Sequence, residues 1–291
     1  MRVLCSLLAV AALLVGSVGP ADAHGVIGRR FFPATLTIDD PFVADELSLP
    51  SVLHIKGPEA KQTTLGAEVS KTITPDFGLA IGAEYNFFSP NDPDEKSSSG
   101  FGNPELSAKY VFFKNAEHET IFSLAFSWEI GGVGEKSGGA ESFSTISPAL
   151  LFGKGLGDLP DGLAYLRPLA LTGLFGAELP LTSEESNALT YGLAIEYSFP
   201  YLQQFVKDIG IPPAAGRFFP IVELLFSTPL DGGRTTGTVN PGLIWAGKYV
   251  ELGVEAVIPI NSATGKNIGV RALVHFFLDD IYPTVFRPLW R

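Results

Sequence analysis

From Leu65 onward, apolar and polar residues alternate at every second position, in runs broken by clusters of Gly, Pro, Asn and Asp. In 78–87 one face collects Leu79, Ile81, Ala83, Tyr85 and Phe87, and the other Gly78, Ala80, Gly82, Glu84 and Asn86. The run 190–198 sets Tyr191, Leu193, Ile195 and Tyr197 against Gly192, Ala194, Glu196 and Ser198. The run 250–257 sets Val250, Leu252, Val254 and Ala256 against Glu251, Gly253 and Glu255. Period 2 belongs to strands whose two faces meet different surroundings. A soluble sandwich alternates as well, but its solvated face mixes Lys, Thr and Glu. Here the polar faces are Gly, Ala, Ser and single Glu residues. The apolar faces carry Tyr85, Phe87, Phe112, Trp128, Tyr197, Trp245 and Phe276 near strand ends, where a membrane barrel has its aromatic girdles.

The pattern therefore predicts an all-β protein, a transmembrane antiparallel β-barrel over 51–278 of about 12 strands. The strands are expected at 51–57, 62–73, 77–89, 103–114, 119–131, 144–154, 163–179, 188–199, 217–228, 237–247, 250–261 and 266–278. Ten strands is the alternative, because the first is short and the seventh contains Pro168, which cannot donate to a ladder. The connections alternate between tight (74–76, 115–118, 248–249) and long (90–102, 132–143, 180–187, 229–236), as periplasmic turns and external loops do. The exception is 200–216, long but on the periplasmic side, where 201–209 reads as a short amphipathic helix closed by Gly210 and Pro212. Outside the barrel, 24–50 has no sustained alternation and is expected as a periplasmic lead or a segment entering the lumen. Residues 279–291 form a Pro-punctuated periplasmic tail.

Composition supports this picture. The chain is 46% hydrophobic and 18% charged, yet no internal run reaches the roughly 20 apolar residues of a transmembrane helix. The start reads as a cleaved signal peptide, 1–23: Arg2, an apolar run Val3 to Val15, and the small-x-small site Ala21-Asp22-Ala23. Cleavage would remove Cys5, the single cysteine, and so all disulfide and thiol chemistry. It would leave the net charge at −11, and an acidic chain without a basic cluster has no footprint for nucleic acid. The expected location is the outer membrane of a Gram-negative-type bacterium, with outer-membrane lipid, small solutes and the barrel-assembly machinery as partners. The strand ending at Phe277 resembles the C-terminal recognition strand of such barrels, but here 278–291 continue past it.

If the apolar faces meet lipid, the lumen is lined by Glu68, Glu84, Glu105, Lys109, Glu129, Glu196, Glu223, Glu251, Glu255, Arg271 and His275, with Arg167 beside them. Unpaired carboxylates in a narrow lumen are costly, so several should pair with the cations. The network either fills and stiffens the barrel or lines a cation-preferring passage. No catalytic residue, cofactor or metal site is expected. None of His24, His54, His118 and His275 sits two residues from a Ser on one strand face, as a hydrolase pair on one strand would. His24, N-terminal after cleavage, offers two nitrogens to copper, but only His54 is nearby as a further ligand.

The segment Gly100-Phe101-Gly102-Asn103-Pro104-Glu105-Leu106-Ser107-Ala108-Lys109-Tyr110 resembles the Gly-x-Gly-Asp-x-x-Leu-x-x-Lys-Tyr strand of the outer-membrane barrel family labelled meta-pathway phenol-degradation proteins. The strands 122–134 and around Glu223 are similar to others of that family. Asn103 stands where the family has Asp, and Glu129-Ile130-Gly131 where it often has Pro-Thr-Gly. The resemblance covers about half the chain and implies passage of small, often hydrophobic or aromatic, compounds. The expected function is passive passage through a Glu-rich lumen. The rival is a non-conducting structural or surface-interaction barrel with a plugged lumen.

Overall fold

A computed structural model describes residues 25–57, 59–212 and 215–290; the signal segment and His24 lie outside them. Twelve strands form the wall: β1 Glu46–Lys56, β2 Ala60–Thr74, β3 Phe77–Pro90, β4 Glu105–Asn115, β5 Thr120–Glu129 and β6 Thr145–Gly155. They continue as β7 Leu169–Pro180, β8 Ala188–Tyr197, β9 Phe218–Pro229, β10 Thr236–Ala246, β11 Val250–Pro259 and β12 Gly269–Phe277. Each pairs antiparallel with its sequence neighbours, and β1 pairs with β12 (Arg271 opposite Leu53, His275 opposite Ser48), so the sheet closes. The ten-strand alternative falls.

The alternation sorts side chains as a lipid-filled exterior requires. Ile81, Leu124, Phe175, Val254 and Val270 stand 50 to 56% exposed on the outside. In water so much exposed apolar area would cost about 25 cal/mol per Å². As a belt around a closed barrel it is the surface that hydrocarbon wets. The fold is that of outer-membrane β-barrels.

Most boundaries shift by a few residues from the expectation, and those of β1, β7 and the short helix do so for reasons visible locally. β1 begins at Glu46, not 51, because the ladder runs on through a register shift between Ser48 and Ser51 that takes in Pro50. The segment expected at 24–50 therefore ends at Asp45. β7 begins at Leu169, so Pro168 lies just outside the ladder; the residues before it form a 3₁₀ turn, Asp161–Leu166. Arg167 thus leaves the lumen set: its Nη2 bonds Asp161 at 2.8 Å within this connection. The helix expected at 201–209 spans 199–206, its first turn capped by Ser198 Oγ, which accepts the Tyr201 N–H at 3.1 Å. It stops at Lys207, beyond which Asp208 takes the Gly210 N–H into a side-chain turn that competes with the helix.

Ser98–Phe101 pairs with β3 ahead of β4, extending that wall toward the loops. The tail turns once at Leu278–Ile281 and comes back under β2, where Lys71 Nζ donates to Arg287 O at 2.7 Å and the Trp290 N–H to Ile73 O at 3.0 Å.

Candidate functional site

The segment 25–45 enters the barrel. It starts at the end that carries the chain termini, in a tight hairpin (Val26–Ile27 with Arg30–Phe31). It rises to a turn at 34–38 in the lumen and descends to Asp45, which leads into β1.

Carboxylates of the wall hold the turn. Glu223 on β9, fully buried, accepts three consecutive backbone N–H groups: Leu36 at 3.0 Å, Thr37 at 3.0 Å and Ile38 at 2.8 Å. Thr37 Oγ1 donates to Glu255 Oε1 at 2.5 Å and accepts from Asn240 Nδ2 at 2.9 Å. Arg271 Nη1 donates to Leu36 O at 2.9 Å and also to Thr37 Oγ1, with Glu255 at 3.6 Å. Side chains complete the attachment: Ile38 packs with Ala194, Phe219, Ile221 and Ile244, while Ile27 and Phe32 pack with Val111, Ile121 and Ala170. These apolar contacts fill part of the lumen between the segment and strands β4, β5 and β7 to β10.

The two legs are fixed separately. Arg30, buried, pairs with Glu119 at 3.2 Å, donates to the carbonyls of Pro168 (2.8 Å) and Arg167, and lies 3.9 Å over the Tyr201 ring. On the descending leg, Lys109 Nζ bonds Asp39 Oδ1 at 2.8 Å and Asp40 O at 2.6 Å. Burial pushes the Asp40 carboxyl up to about 6, against the pull of Lys109. Asp45 receives Lys71 at 2.8 Å and the Thr72 N–H at 2.7 Å.

The small lumen-facing residues have a reason the sequence did not show. A Cβ at Gly253 would sit 2.7 Å from Leu36 Cδ1, one at Gly78 2.8 Å from Val43 Cγ1, and one at Gly192 would overlap Ile38. These glycines are seats for the inserted segment. Gly253→Val should therefore loosen the turn by about 1–3 kcal/mol, the usual cost of overpacking. We expect faster amide exchange at 34–38 with an unchanged heat-modifiable band; unchanged exchange would refute the seat.

The candidate residues divide into two groups. Glu196, Glu223, Glu251 and Glu255 are buried on β8, β9 and β11, beside the inserted turn. Glu196 has no hydrogen-bond partner among the described residues. Glu68, Glu84, Glu105 and Glu129 stand on the opposite wall, β2 to β5, where the segment leaves room. There a cavity of about 340 Å³, lined by all four, meets a second of about 290 Å³ that shares Glu68 and Glu105 and is bordered by Lys109 and His275. A third, about 350 Å³, shares Phe42, Val43 and Ala44 with the second and reaches Lys114 and Asp279 at the terminal end. Among the described residues no cation lies within ion-pair distance of Glu68, Glu84, Glu105 or Glu129; Glu129 takes a hydrogen bond from Asn103 at 2.9 Å.

Two partners of His275 are invisible in the pattern of its own strand. His275 Nδ1 lies 2.9 Å from Ser48 Oγ, and Nε2 lies 3.5 Å from Glu46 Oε2, both across the β1–β12 seam. The signal was present in the seam register, which a single strand's pattern does not contain. His54, on the outer face, bonds Thr63 at 2.8 Å.

No protein-family model and no curated protein sequence matches the chain. Solved structures do. An outer membrane channel from Pseudomonas putida F1 superposes with a TM-score of 0.54 at 13% identity, over 89% of this chain and 99% of that one. LpxR from Salmonella typhimurium gives 0.49 at 11% identity, over 80% and 99%, and KdgM porin 0.46 at 17%, over 78% and 97%. The likeness to the Pseudomonas barrel concerns the fold alone.

Proposed function

We propose that the chain is an outer-membrane barrel for passive passage of small molecules, narrowed by its own N-terminal segment to an off-centre, cation-preferring path. The observation that carries this reading is the row of cavities along β2 to β5, lined by Glu68, Glu84, Glu105 and Glu129, none of which has a cation within ion-pair distance among the described residues. Acidic walls at close quarters favour cations over anions. The role of the Pseudomonas barrel, a channel, agrees with it. The carboxylates that face this path favour small cations over the aromatic compounds that the sequence resemblance implies.

The test is single-channel recording of the refolded, heat-modifiable protein in a planar bilayer under a salt gradient. Small steps reversing at a cation-selective potential are expected. Replacing Glu68 and Glu105 together by Gln should move the reversal potential toward zero by more than half. Silence from a folded barrel would favour the second reading, a barrel plugged for structural reasons. That reading draws its support from the packed half of the lumen around Ile38.

A further inference from the structure

Every other lysine on the β-strands of this acidic chain has taken a carboxylate: Lys71 pairs with Asp45, Lys109 with Asp39, Lys114 with Asp76 and Lys154 with Asp158. Lys56 and Lys61 have none among the described residues, yet they stand directly opposite each other on the last rung of the β1–β2 ladder. Like charges placed directly opposite on a sheet repel, so the fold keeps this rung at a cost. Both side chains are exposed, and they share the outward face with the rungs His54–Thr63 and Val52–Leu65.

Their surroundings grade from oily to polar along the strand. One rung inward, Thr63 lies opposite Phe87, which stacks edge-on with Tyr85 at 5.0 Å; Tyr85 in turn meets Phe101 at 4.9 Å. On the same rungs lie Val270, opposite His54, and Leu65, opposite Tyr85, both exposed. Aromatic rings of this kind mark the boundary between hydrocarbon and headgroups. The two ammonium groups therefore lie one step beyond that boundary. They open onto a concavity of about 510 Å³ completed by Gly57, Pro90, Asn91 and Asn267. The two asparagines are pinned there: Asn91 Nδ2 donates to Gly57 O at 3.2 Å and Asn267 Nδ2 to Lys56 O at 2.8 Å.

We infer that the Lys56–Lys61 rung binds the phosphate of a lipid headgroup in the leaflet at the loop end of the barrel. A phosphate between two ammonium groups removes their repulsion and gains charge-assisted hydrogen bonds, while the acyl chains lie against Leu65, Phe87 and Val270. The inference rests on the outer-membrane reading, under which the phosphorylated lipid of that leaflet is lipid A.

The full chain, refolded from denaturant so that it carries no lipid, is titrated in micelles with lipid A, with dephosphorylated lipid A and with inorganic phosphate. Bound lipid is counted by native mass spectrometry. Lipid A should be retained, the dephosphorylated form not, and high salt should weaken the complex. The double variant K56Q/K61Q should lose on the order of tenfold or more in affinity, as expected for two charge-assisted contacts, and K56R/K61R should keep binding. Equal retention of the dephosphorylated lipid, or an unchanged K56Q/K61Q, would overturn the inference. So would displacement of lipid A by millimolar inorganic phosphate, which would make the rung a free-anion site. A protein that fails to insert into vesicles sinks the membrane reading as well; one that inserts and conducts without telling the two lipids apart sinks this inference alone.

Discussion

Deleting residues 25–41 should raise the single-channel conductance by roughly tenfold, because a twelve-strand lumen freed of its contents is several times wider than a path bounded by Glu68 and Glu105. The wall does not depend on the segment for closure: β1 begins at Glu46 and its ladders to β2 and β12 are complete without it. The deletion variant should therefore still fold into a heat-modifiable barrel, though a less stable one, since the Ile38 and Phe32 clusters lose their centres. Its cation preference should persist and strengthen, because Glu196, Glu223, Glu251 and Glu255 would join the carboxylates already facing the path. Conductance unchanged within a factor of two would show that the segment does not limit the passage.

Glu223→Ala should release the turn without touching the wall. The substitution strips the acceptor from three adjacent N–H groups, and hydrogen bonds to a charged partner contribute about 1.5–3 kcal/mol each. The net loss is smaller than the sum, because the freed turn can move and be hydrated, so we expect about 3–6 kcal/mol. At roughly 1.4 kcal/mol per factor of ten, this makes the released state at least a hundredfold more populated. Amide exchange at 36–38 should accelerate accordingly, and recordings should show excursions to the large conductance of the deletion variant. Glu223→Gln, which keeps an accepting oxygen in place, should fall between the two. Exchange at 36–38 no faster than in the parent would place the anchor elsewhere, with Arg271 the next residue to replace.

How much of this was legible beforehand follows from what a strand pattern can carry. The twelve strands could be read because each one separates lipid from lumen along its own length, and that separation repeats every two residues. β7 shows the limit: Pro168 looked like a defect within a strand because the pattern runs smoothly across it, while the ladder starts one residue later. For the inserted segment the pattern leaves two readings open, a periplasmic lead or a lumen insert, and does not show its anchors. Thr37 and Ile38 owe their places to Glu223, Glu255 and Arg271, which lie 185 to 235 positions away in sequence for the hydrogen bonds involved, and no local periodicity encodes such pairings. The same holds for Gly192 and Gly253, which read as generic small lumen residues and are spaces shaped for Ile38 and Leu36. The carboxylates were found as a set, but their division into an anchoring half and a path-lining half depends on where the segment lies.

Both legs of that segment meet the barrel at one mouth: Arg30 beside Glu119 and Pro168, and Asp45 beside Thr72 and Leu278. A loop that goes in and comes out by the same opening threads nothing. It forms no knot with the wall and no strand must unzip to let it pass. The cylinder can accordingly close first and receive its stopper afterwards, and the stopper can be drawn out and returned on the side where the chain begins.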